Sequence, residues 1–150
     1  MKEDKKNSIY CPIEYGLQVF GGKWKARVIC VLNDKGTLRY NQLREDMPEI
    51  TDGMLASTLK ELMQENIVER KQYGEIPPRV EYSLTPKGES TIPILDIIRK
   101  WSMEQFKIEA KGNLAAAQKR LEEAVKADRT GCLVNAGIKA NKEMPIKEEV

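Results

Sequence analysis

Apolar residues recur with a helical period through most of the chain between residues 12 and 65. In the first such segment, Ile13, Leu17 and Phe20 are spaced by four and three residues, and Gly21-Gly22 ends the pattern. The same kind of spacing predicts further helices over residues 24–32, 40–46 and 52–65. The last of these helices has the clearest apolar stripe, formed by Leu55, Leu59, Leu62 and Met63, and Thr51 precedes it as an N-cap.

After Asn66 the period changes to that of an extended chain. Residues 67–73 and 79–84 predict two strands, and the five residues Gly74-Glu75-Ile76-Pro77-Pro78 between them predict a hairpin with a stiff tip. The segment from Thr37 to Arg39 is too short for an independent strand but long enough to pair with an edge of this hairpin.

The next segment, about residues 89–108, has apolar side chains on more than one face. In a small domain such a helix must bury its surplus apolar surface, and association of two subunits is the simplest way to do so. The alternative is that all of these side chains fill one core. The predicted dimer contacts come from the first helix and the long helix: Ile13, Leu17, Phe20, Ile94, Ile97, Ile98 and Trp101.

The two ends of the chain differ in composition from the segment between them. Residues 1–8 predict a flexible charged arm, and residues 9–110 predict the folded domain. Residues 111–150 predict a C-terminal extension, with a helix over 111–129 and a loose tail over 130–150.

Composition restricts the chemistry that this chain can perform. It has 150 residues, of which 41% are hydrophobic and 32% charged, and a formal net charge of +2, as expected for one soluble domain with a tail. The absence of histidine excludes Ser-His-Asp and Cys-His catalysis and a two-histidine zinc site. The three cysteines form no Cys-x-x-Cys pair, and there is no glycine-rich phosphate loop, so we expect no enzyme, metal or cofactor. No apolar run approaches the roughly 18 residues that cross a bilayer, and no secretory segment follows the N-terminus, so we expect a cytoplasmic protein without membrane contact.

The order of the predicted elements is that of a winged helix-turn-helix, an α+β fold that is mostly α, here with extra N- and C-terminal helices for dimerisation. In this architecture the helix after a tight turn enters the major groove of double-stranded DNA, and the hairpin reaches the backbone or the minor groove. Residues 40–46, the turn at 47–50 and residues 51–65 form the motif. Residues 68–84 form the hairpin, which we call the wing.

Several motifs resemble those of the HxlR-type bacterial transcription regulators, relatives of the wider MarR-like group. The matching stretches cover about residues 9–107 in family order: Cys11-Pro12, Gly21-Gly22-Lys23-Trp24, Arg39-Tyr40-Asn41-Gln42-Leu43, Met54-Leu55, Leu59-Lys60-Glu61-Leu62 and Pro77 to Thr85 with Gly88. The resemblance implies a dimeric DNA-binding repressor or activator, often responding to electrophiles or oxidants through the cysteine before Pro12. The chain departs from the family in its tail beyond about residue 110 and in Gly53, where a longer polar residue is commoner.

Candidate DNA contacts lie on the face of the fourth helix opposite its leucines. Ser57 and Lys60 are best suited to bond base edges, and Met54 is suited to contact a thymine methyl group. Thr51 and the first free N–H groups of the helix favour a phosphate. Gly53 belongs to the same face, and Met54 and Thr58 lie at its margins. The alternative for each residue is a polar surface that is merely solvated.

Four basic residues outside that helix complete the predicted interface. Arg39 is a candidate phosphate clamp at the start of the third helix, and Lys23 is a weaker one. On the wing, Arg79 suits a narrow minor groove and Lys71 the adjoining backbone.

Basic residues are distributed unevenly along the chain. Residues 1–44 carry nine bases and four acids, whereas residues 51–87 carry five bases and six acids. The DNA-facing region is therefore not basic by sum, so affinity must depend on the placement of charges and on two copies per dimer. We expect selective, salt-sensitive binding to a palindromic sequence.

Cys11 is the candidate redox sensor. It stands at or beside the N-cap of the first helix, where unpaired N–H groups and the helix dipole favour the reactive thiolate. Packing at a dimer seam is an equally good interpretation from the residues alone. Cys30 lies among apolar residues, so we expect it to be an inert packing residue. We expect Cys132 to be an exposed thiol without local activation.

Two other functions remain open at this point. Weak net basicity favours a winged-helix module that binds a protein rather than DNA. The second alternative is a regulator that responds to an apolar small-molecule effector. Trp24 and Trp101 would line its pocket, between the long helix and the core, although core packing explains both rings as well.

Overall fold

Helices and strands follow one another in the order that the apolar pattern predicts. The computed structural model describes residues 11–112 together with residues 119, 122 and 123. Its elements are α1 (Pro12–Phe20), α2 (Lys25–Lys35), α3 (Tyr40–Asp46), α4 (Asp52–Gln64), β1 (Val68–Tyr73), β2 (Arg79–Leu84), α5 (Pro86–Glu89) and α6 (Ile92–Gly112). The predicted arm at 1–8, nearly all of the helix at 111–129, the tail at 130–150 and Cys132 lie outside the described residues.

The core forms around α2 and α4. Val28 and Ile29 of α2 and the α4 leucines 55, 59 and 62 are all fully or almost fully buried there. The short α3 adds Leu43, and the turn that follows it adds Met47 and Ile50. Each such side chain contributes about 1.5–3 kcal/mol through burial, so this face of α4 is fixed firmly.

The wing is a two-stranded antiparallel hairpin in which Val68 pairs with Leu84 and Tyr73 with Arg79. Leu38 lies beside β2 as predicted and exchanges two backbone hydrogen bonds with Tyr82, of 3.0 and 2.8 Å. Because an isolated hairpin is marginally stable, this bridge and the burial of Val68 attach the wing to the core.

The long helix predicted at 89–108 begins at Ile92, and a short helix that was not predicted, α5, precedes it. Thr85 caps the short α5 by accepting a hydrogen bond from the N–H of Gly88, and Thr91 donates to the carbonyl of Gly88 at 2.7 Å. These local bonds end α5 before α6 begins at Ile92, and α6 then continues to Gly112. The division of the chain into two compact units falls inside α6, between Asp96 and Ile97. Of the described helices, none is long and apolar enough to cross a membrane.

Candidate nucleic-acid interface

Burial of three leucines determines which face of α4 is exposed. Gly53, Met54, Ser57 and Lys60 are exposed on the side opposite Leu55, Leu59 and Leu62, as the sequence predicts. Thr51 is the N-cap, and its side chain accepts the N–H of Met54 at 3.3 Å. Four of the predicted α4 contacts, together with the N-cap, therefore share one accessible surface.

Thr58 does not belong to that surface. Its exposed fraction is 4%, because it lies beside Leu59 on the core side of α4. The prediction that Thr58 lies at the margin of the DNA-facing side is wrong, since a 100° step per residue from Ser57 already turns the side chain into the core.

Asp52 connects the first turn of α4 to α3. Its carboxylate pairs with Arg44 Nε at 2.9 Å, and its carbonyl oxygen accepts the Tyr40 hydroxyl at 2.9 Å. Burial, and secondarily the negative charge of Asp52, raises the pKa of Tyr40. These contacts connect the two helices, and no local sequence pattern indicates them because the partners are eight and twelve residues apart.

A carboxylate also lies on the exposed side of α4. Glu61 accepts the Ser57 hydroxyl at 3.4 Å and pairs with Lys25 Nζ at 2.9 Å. The Lys25 hydrogen bond lowers the pKa of Glu61 against a smaller opposing effect of burial, and the Ser57 bond lowers it further. A paired Glu61 repels a nearby phosphate less than an isolated carboxylate does.

Basic residues border a cleft between α3 and the wing. The cleft has a volume of about 410 Å³ and is lined by the start of α3 (Arg39, Tyr40 and Asn41) and by Glu75 to Val80 at the wing tip. Arg39 is the exposed N-cap residue of α3, and its N–H donates to Gln42 Oε1 at 2.8 Å. Tyr40 and Asn41 were not predicted as site residues, because their proximity to the wing arises only from the pairing of Leu38 with Tyr82.

The other basic residues differ in how many contacts their side chains make with neighbouring residues. Lys23 is exposed, with its Nζ 4.5 Å from the centre of the Trp24 ring, and Lys71 is exposed with its Nζ 4.9 Å from the Tyr73 ring. Arg79 is held on the wing by Glu75 at 3.3 Å, Glu81 at 3.6 Å and the Tyr73 ring at 4.0 Å. Insertion of Arg79 into a minor groove therefore requires it to exchange these partners.

The sequence of the folded part matches one known family. Residues 19–110 match the HxlR-like helix-turn-helix family. The chain belongs to the HxlR family. It is a winged helix-turn-helix transcriptional regulator of the HxlR type.

This chain is similar to several regulators over most of their own length. A regulatory protein named MalR from Fusobacterium mortiferum is 44% identical over 101 residues, which are 67% of this chain and 95% of MalR. The redox regulator HypR in its oxidised form is 41% identical, with a TM-score of 0.55 over 63% of this chain and 96% of HypR. The reduced regulator YodB from B. subtilis is 38% identical, with a TM-score of 0.57 over 61% of this chain and 90% of YodB.

YodB has also been solved in two treated forms. The diamide-treated form is 36% identical to this chain, with a TM-score of 0.57 over 64% of this chain and 95% of YodB. The quinone-bound form is 35% identical, with a TM-score of 0.55 over 63% of this chain and 99% of YodB.

In this HxlR-family chain Cys11 is exposed and is the N-cap residue of α1, with Pro12 at the first helical position. The N–H of Tyr15 donates to the Cys11 carbonyl at 3.1 Å, which fixes the cysteine backbone on the helix end. Cys30, predicted to be buried, is half-buried on α2.

Apolar side chains are exposed on both helices predicted to contact a second subunit. The exposed fractions of Ile13 and Leu17 on α1 are 73% and 60%, and that of Trp101 on α6 is 64%. Ile94, Ile97 and Ile98 are exposed as well, and with Trp101 they follow the i, i+3, i+4, i+7 spacing of one helix face. Phe20 differs, because it is half-buried and packs against the core, as does Trp24.

Proposed function

We propose that this regulator binds a palindromic DNA operator as a homodimer, with α4 of each subunit in the major groove. The observation that carries the proposal is the single exposed face of α4, where Met54, Ser57 and Lys60 lie opposite three buried leucines. Hydroxyl and ammonium groups there bond base acceptors, and the Met54 side chain contacts a thymine methyl group.

Backbone contacts position that helix. In the proposal Thr51 and the adjoining N–H groups bind one phosphate of the DNA backbone, and Arg39 and Lys23 bind others. Lys71 contacts the backbone beside the wing, and Arg79 reaches the minor groove after leaving Glu75.

Selection of bound duplexes from a random DNA pool tests the proposal. We expect one enriched palindrome whose half-sites are about one DNA turn, or about 34 Å, apart. Fluorescence anisotropy on that duplex should show an affinity that falls steeply from low to physiological salt. A pool with no enriched sequence would contradict the DNA function, and affinity without salt dependence would contradict the phosphate contacts.

The exposed apolar faces of α1 and of α6 support the proposed dimer, because a two-fold contact would cover such surfaces. Size-exclusion chromatography with light scattering should give twice the 17.1 kDa chain mass at micromolar concentration. A monomer at that concentration refutes the dimer, and Leu17→Asp, which introduces a charge on the exposed face of α1, should shift the equilibrium toward monomer.

We further propose that Cys11 senses electrophiles. A thiolate at this exposed helix start adds to a quinone: the sulfur–carbon bond forms, and the ring takes up a proton and becomes a hydroquinone thioether. HypR, a redox regulator, is 41% identical to this chain. YodB, 38% identical in its reduced form, has also been solved with quinone bound. These relatives support the proposal for Cys11.

Release of the selected duplex by a quinone tests this role. Wild type and Cys30→Ser should release DNA, whereas Cys11→Ser should retain it, and peptide mapping of the released wild type should find quinone on Cys11. If Cys11→Ser releases DNA like wild type, Cys11 has only a packing role.

A further inference from the structure

Two lysines each contact both α1 and the C-terminal end of α4 or its C-cap residue. Lys25 Nζ donates to the carbonyl of Gln18 in α1 at 2.9 Å and pairs with Glu61 of α4 at 2.9 Å. Lys87 Nζ, in α5, donates to the Tyr15 hydroxyl of α1 at 3.0 Å and to the Glu65 carbonyl, which follows α4, at 2.8 Å. We call these two sets of contacts the lysine bridges.

The two lysine side chains are partly shielded from water, whereas their bonds to Gln18 and Tyr15 lie at the surface. The Lys25 side chain has an exposed fraction of 18%, and Lys87 is half-buried. Charge-assisted hydrogen bonds in such places are shorter and stronger than neutral ones and are screened less by salt. Lys87 also lies where a helix end leaves carbonyl groups without partners and favours a cation.

Few other contacts attach α1 to the core. Val19 is its one buried residue, and Phe20 packs against the core at its end. Ile13 and Leu17 point away from the core and are exposed. The polar contacts of Tyr15 and Gln18 therefore fix the position of α1 relative to α4 to a large degree.

The lysine bridges act on one end of α4 only. Its opposite end is held by Asp52, through Arg44 and the Tyr40 hydroxyl. A displacement of α1 therefore reaches α4 at its C-terminal end, where Glu61 lies next to Lys60, and not at its N-terminal turn.

We propose that Lys25 and Lys87 are positioning residues that couple α1 to α4, so that a displacement of α1 changes the affinity of α4 for a specific DNA sequence. The effect on affinity rests on the proposed DNA function, whereas the coupling between the two helices does not. Helix α1 carries Cys11 and the exposed apolar residues, so a change at either reaches α4 by this route.

Binding measurements separate positioning from direct phosphate contact. Lys25→Met and Lys87→Met each remove one positive charge, as does the control Lys107→Met, whose partner Glu104 lies in the same helix at 3.0 Å. We expect the two bridge variants to bind the selected duplex five- to tenfold more weakly than the control. Binding to a scrambled duplex and the slope of affinity against salt should equal those of the control.

Two outcomes overturn the proposal in this assay. A salt slope smaller than that of the control by about one unit means that the lysine contacts a phosphate. An affinity for the selected duplex within twofold of the control means that the bridges do not position α4. Circular dichroism at the assay temperature verifies folding, and Lys87→Arg, which retains the charge and the donors, should restore most of the affinity.

Tyr15→Phe tests the connection to α1 with the smallest change, since only the hydroxyl that Lys87 contacts is lost. We expect a two- to fivefold weaker affinity in the wild-type background and no further loss in Lys87→Met. An equal loss in both backgrounds means that Tyr15 and Lys87 act independently.

Amide hydrogen exchange tests the coupling without DNA. The N–H groups of Glu65, Asn66 and Ile67 bond to carbonyls at the end of α4, and their exchange should be faster in Lys87→Met and in Tyr15→Phe than in Lys107→Met. Unchanged exchange overturns the coupling. Faster exchange in a protein that enriches no DNA sequence contradicts the DNA function and leaves the coupling intact.

Discussion

Gly88 is a buried position where adding one carbon atom should destabilise the protein. A Cβ atom built there lies 2.2 Å from the carbonyl oxygen of Ile67 and 3.2 Å from Leu84 Cδ2, whereas ordinary contact begins at 3.4 Å. That carbonyl accepts both the N–H of Thr85 at 3.0 Å and its hydroxyl at 3.2 Å. Gly88→Ala therefore forces a shift of about 1 Å in buried backbone that two hydrogen bonds hold.

The cost can be worked from these contacts. Overpacking of a filled site costs about 1–3 kcal/mol, and each weakened hydrogen bond adds about 0.5–1.5 kcal/mol. We expect Gly88→Ala to lower the free energy of unfolding by about 3 kcal/mol and the melting temperature by more than about 10 °C. Urea unfolding at one fixed protein concentration, followed by tryptophan fluorescence, measures the change, because dimer stability depends on concentration.

Gly53→Ala is the matched control. No atom lies within 4 Å of a Cβ at this exposed helical position, so the substitution should leave stability unchanged or raise it by up to about 1 kcal/mol. If Gly88→Ala costs less than about 1 kcal/mol, or if both alanines have the same effect, the close approach of Gly88 to Ile67 does not limit the packing here.

Three further predictions concern α4 and its surroundings. Because the Lys25 hydrogen bond lowers the pKa of Glu61, their pairing stabilises the fold above about pH 4.5, and this stabilisation is lost as the pH falls through the lowered pKa. In Lys25→Met, carbon-13 NMR of the glutamate carboxyls should show Glu61 titrating nearer 4.5. An unchanged titration would contradict the pairing. Thr51→Ala should lower the free energy of unfolding by about 1 kcal/mol and Thr51→Ser should not, as measured in urea, since only the hydroxyl caps α4; equal losses would refute the cap. Lys60→Ala should alter the preferred base at a few positions of the selected sequence. Arg39→Ala should weaken binding to all duplexes alike and reduce the slope of affinity against salt by about one unit. The reverse pattern would mean that Arg39 contacts the bases and Lys60 a phosphate.

The sequence predicts those helices and strands whose ends carry a capping residue or a change of apolar period. Thr51 and the three leucines of α4 locate that helix, and the change of period after Asn66 locates the wing. The break between α5 and α6 was missed because it depends on side-chain bonds of Thr85 and Thr91 that an apolar pattern does not contain.

The candidate site was predicted in part for the same reason. Residues on one helix, such as Ser57 and Lys60, share a face that a period of 3.6 residues defines. The role of Asp52, the cleft beside Tyr40 and the lysine bridges depend on contacts between different elements. Tyr15 and Lys87, for example, are 72 residues apart, and no local pattern relates them.

The outer edge of the wing has a consequence for solubility. Within the described part of the chain β1 pairs only with β2, so its other edge presents unpaired backbone groups to solvent. Four consecutive exposed residues, Glu69 to Gln72, make this edge polar and charged, which prevents strands of other molecules from adding to it and starting aggregates. Lys71 thus protects the protein from aggregation whether or not it contacts DNA. A test of its DNA contact should use Lys71→Gln rather than Lys71→Val, because valine favours strand pairing and gives that edge the means to aggregate.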